Sequence, residues 1–365
     1  MTTIKQIFQN FGPEYIQRFG DTMPGDHRKV IDAIINCRTN HYGATIYTCE
    51  ECGQAHVVYR SCGNRHCPNC QHYKARQWLD KRIKKQLPGH HFMITFTVPQ
   101  QIRRFIRSNQ RLCYSALFRA SSDTMKKLAN DPKHIGGDLP GLFGVLHTWG
   151  RQLHYHPHIH YIVPGGALSK KDHKWHPSRN DFYLPVKAMS IIFKAKSRDA
   201  MKKSPLYSQI PSQVWKQHFI VNSQAVGGSE RSIKYLAPYV FKIAISDYRI
   251  VDIDNRRVSF KYKKSKSNRW RTMQLNVMEF MRRYLQHVLP TGFMKIRYYG
   301  FLNPNCRVPL KKISALIQIA FGFLVKVPKT EIKPINPPTC SICGGNLIYR
   351  RSILVFRSSL PAGAG

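Results

Sequence analysis

The sequence predicts an α+β protein, an antiparallel-rich sheet with helices on it, preceded by a small cysteine-rich zinc-binding module. Three observations carry that prediction. Six of the ten cysteines fall between Cys37 and Cys70, among Gly43, Gly53 and Gly63, a composition too poor in apolar residues for a core of its own. Short strand-like runs, His91–Val98, Gly141–Thr148 and Pro157–Val163, are bounded by proline and glycine and alternate with helical stretches. With 42% hydrophobic and 12% aromatic residues, the chain has enough apolar surface to bury a core, which excludes a disordered basic tail.

Taken in order, residues 1–36 form a helical lead-in, with Ile4, Ile7, Phe8 and Phe11 at helical spacing and a second run at Val30, Ile31, Ile34 and Ile35. Residues 37–72 are the zinc-binding module. Residues 73–88 read as a basic linker helix stopped by Pro88 and Gly89. Residues 89–250 are expected to form the catalytic domain: a strand to Val98, a helix over about 100–129, the two further strands, and a helix from Ser229 through Ile245. Residues 251–330 are a basic C-terminal DNA-binding region that opens on a hairpin, Arg249–Lys261, around Asp254-Asn255. Residues 331–365 form a tail with a partial zinc knuckle.

Charge narrows the partners. There are 58 Lys and Arg against 19 Asp and Glu, a net charge of +39, and residues 255–330 hold seventeen cations and one acid, Glu279. Such a field selects polyanions, nucleic acid first. No run approaches the roughly 18 apolar residues of a membrane span, so no membrane partner is expected. The first ten residues lack the apolar stretch of a signal peptide, which predicts a cytoplasmic, nucleoid-associated protein whose cysteines bind metal rather than pair as disulfides.

Cys49-x-x-Cys52 and Cys67-x-x-Cys70 each set two thiolates on a tight turn, and two facing knuckles make a tetrahedral four-sulfur zinc site. Cys37-x-x-x-His41 and Cys62-x-x-x-His66 repeat one spacing around the first pair and are the candidates for a second zinc, with phosphate contact by His66 or simple burial of Cys62 as the alternative. Cys340-x-x-Cys343 is half a knuckle without an evident partner.

His156-Pro157-His158-Ile159-His160 places three imidazoles on one face of a strand, the outer two about 13 Å apart at roughly 3.3 Å per residue. One ion cannot take all three. His158 and His160, flanking a core-facing Ile159, are the better pair, and His156, beside the edge-favouring Pro157, is the auxiliary one. Tyr235-Leu-Ala-Pro-Tyr239 sets two phenols four residues apart on one helical face. Alone this reads as packing. Beside a metal and a polyanion it reads as a nucleophile pair, since tyrosine oxygen can attack a phosphodiester, with Lys242 and Lys234 as nearby cations.

These residues resemble a known family, the rolling-circle transposases typified by insertion sequence ninety-one, within the HUH single-strand endonuclease superfamily. The resemblance rests on Ser61-Cys62-Gly63-Asn64-Arg65-His66-Cys67-Pro68-Asn69-Cys70-Gln71, on His156 through Gly166, on Tyr235 through Ser246, and on Tyr298-Tyr299-Gly300-Phe301-Leu302. It implies an HUH-type two-layer palm. It further implies a divalent ion, magnesium or manganese, held by His158 and His160. Tyr235 and Tyr239 would be the nucleophiles that nick single-stranded DNA or hairpin element ends, leaving a 5′ phosphotyrosine and a 3′ hydroxyl. A plasmid-type replication initiator or relaxase would use the same chemistry, and a non-catalytic zinc-dependent DNA-binding protein would use none of it.

Overall fold

The computed structural model describes residues 2–70, 75, 77–79, 82, 85, 87–228, 244–264, 267, 269–322 and 338–354. Two α-helices, α1 (Ile4–Phe19) and α2 (Gly25–Ile35), come first. Thr3 caps α1: its hydroxyl accepts from the Gln6 amide while the Gln6 side chain accepts from the Thr3 amide, so two otherwise orphaned donors are satisfied. Strands β1 (Ala44–Cys49) and β2 (Ala55–Tyr59) form an antiparallel hairpin across the Cys49–Cys52 turn.

The largest sheet is built from β3 (His90–Thr97), β5 (Leu142–Trp149), β6 (Tyr155–Pro164), β9 (Ile220–Gly228) and β13 (Ile296–Tyr299), in the order β13-β5-β6-β3-β9, every pair antiparallel. The expected helix over 100–129 is broken at Asn109 into α3 (Arg103–Ser108) and α4 (Gln110–Asn130). Helices α4 and α5 (Val186–Lys202) cover one face of the sheet, where Phe92, Ile94 and Phe96 of β3 and Ile159, Tyr161 and Val163 of β6 meet Phe118 and Phe193. The period of two along β6 then turns His158, His160 and Ile162 to the opposite face, alongside Met93, Phe143 and Val145. Gly144 is required by this packing, because a Cβ there would lie 2.5 Å from the Tyr161 ring. The result is two layers, helices on one side and a histidine-bearing face on the other.

A second core changes the meaning of the lead-in. Helices α1 and α2 pack with α6 (Val277–Leu285) and with a meander of β10 (Ile250–Asp254), β11 (Arg257–Lys263) and β12 (Trp270–Asn276), burying Phe8, Ile31, Ile245, Phe260 and Phe280 together. The expected hairpin forms, one residue later than foreseen, with Asn255 and Arg256 both at positive φ as a right-twisted two-residue turn demands. The turn between β5 and β6 is held by this core: Leu153 is fully buried, Gln286 donates to its carbonyl at 2.6 Å, and Arg249 donates to the Arg151 carbonyl at 2.7 Å.

Two smaller units complete the chain. Strands β4 (Leu139–Pro140), β7 (Gly166–Leu168) and β8 (Trp175–Pro177) form a three-stranded sheet with α7 (Leu310–Phe321) against it. Strand β14 (Leu347–Ile353) returns to the start of the chain and pairs with β1, giving the order β14-β1-β2. The helix expected from Ser229 through Ile245, with Lys234, Tyr235, Tyr239 and Lys242, lies outside the described residues except for Ala244 and Ile245. No described helix is long and apolar enough to cross a membrane.

Candidate functional site

His147, His158 and His160 each offer one ring nitrogen, and these three atoms lie within 4.8 Å of one another. The geometry follows from the sheet. His147 on β5 sits directly across from His158 on β6, and His160 is the next residue on that face. Ring centroids are 5.4 Å apart for His147 and His158, 4.8 Å for His147 and His160, and 4.7 Å for His158 and His160. His156 stands one step further along, its ring 5.1 Å from that of His158, and does not join the three. The auxiliary ligand expected at His156 is therefore displaced by His147, a cross-strand neighbour rather than a sequence neighbour. Pro157 sits mid-strand in β6, but the ladder to β3 ends at the Thr97–His158 pair, so its missing N–H costs β3 nothing.

The rings are held by their other nitrogens. His158 Nδ1 donates to the His156 carbonyl at 2.7 Å, which leaves Nε2 with its lone pair. His160 Nδ1 lies 2.9 Å from Thr95 Oγ1 on β3. Trp149 stacks on His147 at 4.7 Å. Burial holds His158 down to about 4, so at neutral pH the imidazole is uncharged and able to ligate. Three imidazoles on one sheet face form a donor set suited to a divalent ion with positions left for substrate. Burial lowers both His156 and His158, and the charge of Arg103, at the start of α3, adds to it. Its Nε is buried without a hydrogen-bond partner, and no carboxylate pairs with it among the described residues. The sequence reading missed both His147 and Arg103.

The cysteines regroup. Cys67 and Cys70 do not face Cys49 and Cys52. They meet Cys37, which follows α2, and Cys62, which follows β2, with Sγ separations of 3.6 Å for Cys37–Cys70 and 3.4 Å for Cys62–Cys70. Cys37, Cys67 and Cys70 are buried in the second core. Hydrogen bonds from Cys37, Cys62 and Cys67 push the Cys70 thiol far down. Cys49 and Cys52 instead meet Cys340 and Cys343.

Neither histidine proposed as a second-zinc ligand joins a cluster. His41 packs edge-on against Tyr42 at 4.8 Å. His66 is partly buried and its Nε2 accepts from the Leu289 amide at 3.3 Å; desolvation holds its pKa well below the ordinary value. Arg65 beside it donates to the carbonyls of Phe293, Leu289 and Pro290. This dipeptide fastens the cysteine turn to the loop after α6.

Gly300 closes the other side of the palm. Its φ of +60° and a Cβ position 1.5 Å from the Pro140 carbonyl admit only glycine, which explains Tyr298-Tyr299-Gly300 as a marker. Tyr298 in turn stacks under the Arg82 guanidinium at 4.4 Å, beside Trp78 and Phe143.

Residues 141–309 match a family model described as "Putative transposase", and residues 7–98 match one described as "Transposase zinc-binding domain". The first segment holds His147, His158 and His160; the second holds six cysteines, from Cys37 to Cys70. The chain is 34% identical to "Putative transposase y4qJ" of Sinorhizobium fredii, over 83% of this chain and 81% of that protein. It is 27% identical to "Transposase for insertion sequence element IS801" of Pseudomonas savastanoi pv. phaseolicola, over 89% of this chain and 83% of that protein. No solved structure matched. Zinc-binding N-terminal segment, histidine-bearing sheet and relatives agree: the chain belongs to the transposase family of the insertion sequence ninety-one type.

Proposed function

We propose that this transposase nicks and rejoins single-stranded DNA at element ends, through a tyrosine ester and with a divalent ion at His147, His158 and His160. The observation that carries the reading is the three-imidazole group on the face of the main sheet opposite α4 and α5, two of its members supplied by the His158-Ile159-His160 motif. Magnesium or manganese bound there would polarise a non-bridging oxygen of the scissile phosphate.

The chain's own residues do the rest. The His156 carbonyl fixes the tautomer of His158, Thr95 holds the His160 ring, and Arg103, whose Nε has no hydrogen-bond partner, is the cation that would meet the phosphate beside them. Lys242 and Lys234, the cations expected from the sequence, lie outside the described residues. Tyr235 and Tyr239 supply the nucleophiles in this reading, on the strength of their sequence spacing. A phenolic oxygen loses its proton and bonds to phosphorus as the bond to the 3′ oxygen breaks, and that oxygen leaves protonated. The 5′ end stays on tyrosine as an ester of similar energy, so a 3′ hydroxyl can later reverse the step without added fuel. Basic clefts elsewhere, such as the cavity of about 1040 Å³ lined by Arg18, Arg107, Arg111 and Arg282, would hold the strand without reading its sequence.

The test is a labelled single-stranded element end incubated with the full chain and manganese. A covalent adduct whose peptide maps to Tyr235 or Tyr239, and which vanishes in the Tyr235→Phe/Tyr239→Phe double variant, is expected. An adduct that survives in that variant would move the nucleophile elsewhere, Tyr248 being next. DNA binding without any adduct would favour the non-catalytic reading.

A further inference from the structure

We infer that Cys49, Cys52, Cys340 and Cys343 hold a zinc ion that clasps the C-terminal segment onto the N-terminal module, so that the module is completed only by the end of the chain. Cys340 and Cys343 lie outside both matched segments, yet the structure brings them to the β1–β2 turn. Cys49 and Cys343 Sγ atoms are 3.4 Å apart, Cys52 and Cys340 3.7 Å, and all four thiols offer their sulfurs within 4.8 Å of one another. Four thiolates and no oxygen donor is a structural zinc set.

The two halves are built alike. In each, the glycine after the second cysteine adopts positive φ, +69° at Gly53 and +81° at Gly344. In each, that glycine's amide donates to the first cysteine's carbonyl, at 3.1 Å for Gly53–Cys49 and 3.0 Å for Gly344–Cys340. The Ile342 amide also points at Cys340 Sγ, at 3.4 Å. Gly345 lies close against the site, since a Cβ there would sit 3.0 Å from Cys49 Sγ and 2.7 Å from the Glu51 carboxyl carbon. A chance approach of two thiol pairs does not account for matching knuckles whose backbone is shaped to let them meet.

Strand β14 explains why a metal is needed. It pairs with β1 from Ala44–Ile353 to Cys49–Leu347, but six of its seven residues are exposed, so it buries almost no apolar surface. Backbone hydrogen bonds at a sheet edge contribute little by themselves. A shared ion fixes the strand's end and closes a loop of nearly the whole chain. The two four-sulfur sites also differ in access: Cys52 and Cys343 are exposed, whereas the Cys37 group lies in the second core. The clasp zinc is therefore the one a chelator reaches first.

The inference stands apart from strand nicking and is tested without it. Full-length protein should carry two zinc ions per chain, released to a chromogenic chelator in a fast and a slow phase. Cys343→Ser should carry one and lose the fast phase, and hydrogen exchange at the β14 amides should rise to that of an unpaired strand. Cys343→His, which can still ligate, should restore both the ion and the protection. One zinc in the wild-type chain would overturn the inference, as would two zincs with β14 still protected in Cys343→Ser. A Cys343-dependent dimer, with two chains sharing the ion, would overturn it equally.

Discussion

The main sheet and the β14-β1-β2 sheet are both antiparallel, yet opposite forces hold them together. In the main sheet, Ile159, Tyr161 and Val163 are buried against α4 and α5 and Met93, Phe143 and Ile162 on the other face, so apolar burial fixes its register. The small sheet exposes Val57, Val58, Tyr59 and Tyr349, and has sulfur clusters where a core would be. Where burial suffices, the sheet does not need the histidines on its far face to hold together; where it does not, metal ligands become structure. The three-imidazole group should thus be dispensable for folding and the cysteine groups should not.

The largest effect expected from this contrast is at Cys67, which is fully buried in the second core. Structural zinc contributes of order 10 kcal/mol to folding in small modules, comparable to the roughly 5–15 kcal/mol of a whole domain. Cys67→Ser should lose that zinc and unfold α1, α2 and the β10–β12 meander while the main sheet persists. Calorimetry resolving two transitions, one abolished, checks it; a single unshifted transition would erase the contrast.

A smaller and opposite perturbation targets the sheet that needs no metal. Gly300→Ala places a Cβ against the Pro140 carbonyl at a left-handed position and should cost about 3 kcal/mol through overpacking and strain. Zinc content should stay that of the wild type. Loss of zinc with this variant would show the two regions to be one cooperative unit.

The smallest concerns Glu279 on α6. The Arg282 hydrogen bond, helped by Arg283, draws its carboxyl down to about 2. A lowered folded pKa stabilises above the ordinary value near 4.5, and that stability is lost as pH falls through about 2. Because the group is partly exposed, the gain is below about 1 kcal/mol. Thermal scans should show Glu279→Gln less stable at pH 7 and indistinguishable from wild type near pH 2; an equal difference at both would assign the effect to packing.

How much of this was legible follows the range of the interactions. His158 and His160 were readable because a strand's period of two is local, and so was the hairpin, expected at Asp254-Asn255 and formed one residue later. His147 was not, since a cross-strand partner depends on register, and one histidine in an apolar strand resembles any core residue. The cysteine pairing failed for a combinatorial reason: local spacing marks the knuckles but does not say which two meet. Cys37 and Cys62, read as partners of histidines, complete one site, and the apparently orphaned Cys340 and Cys343 complete the other. The N-terminal helices looked like a lead-in because their partners, Phe260 and Phe280, lie some 250 residues away. Arg65 and His66 were visible as a charged motif, but their acceptors and donors are backbone groups that no side-chain pattern announces.

One measurement bears most directly on the division between chemistry and structure: zinc content, melting temperature and DNA-adduct yield, determined on the same preparations of His147→Ala, His158→Ala and His160→Ala. The account predicts wild-type zinc, nearly unchanged melting and adduct yields at least about 100-fold lower in all three, with His156→Ala less affected. Loss of zinc or collapse of the fold in these variants, or an undiminished adduct in His147→Ala, would contradict it.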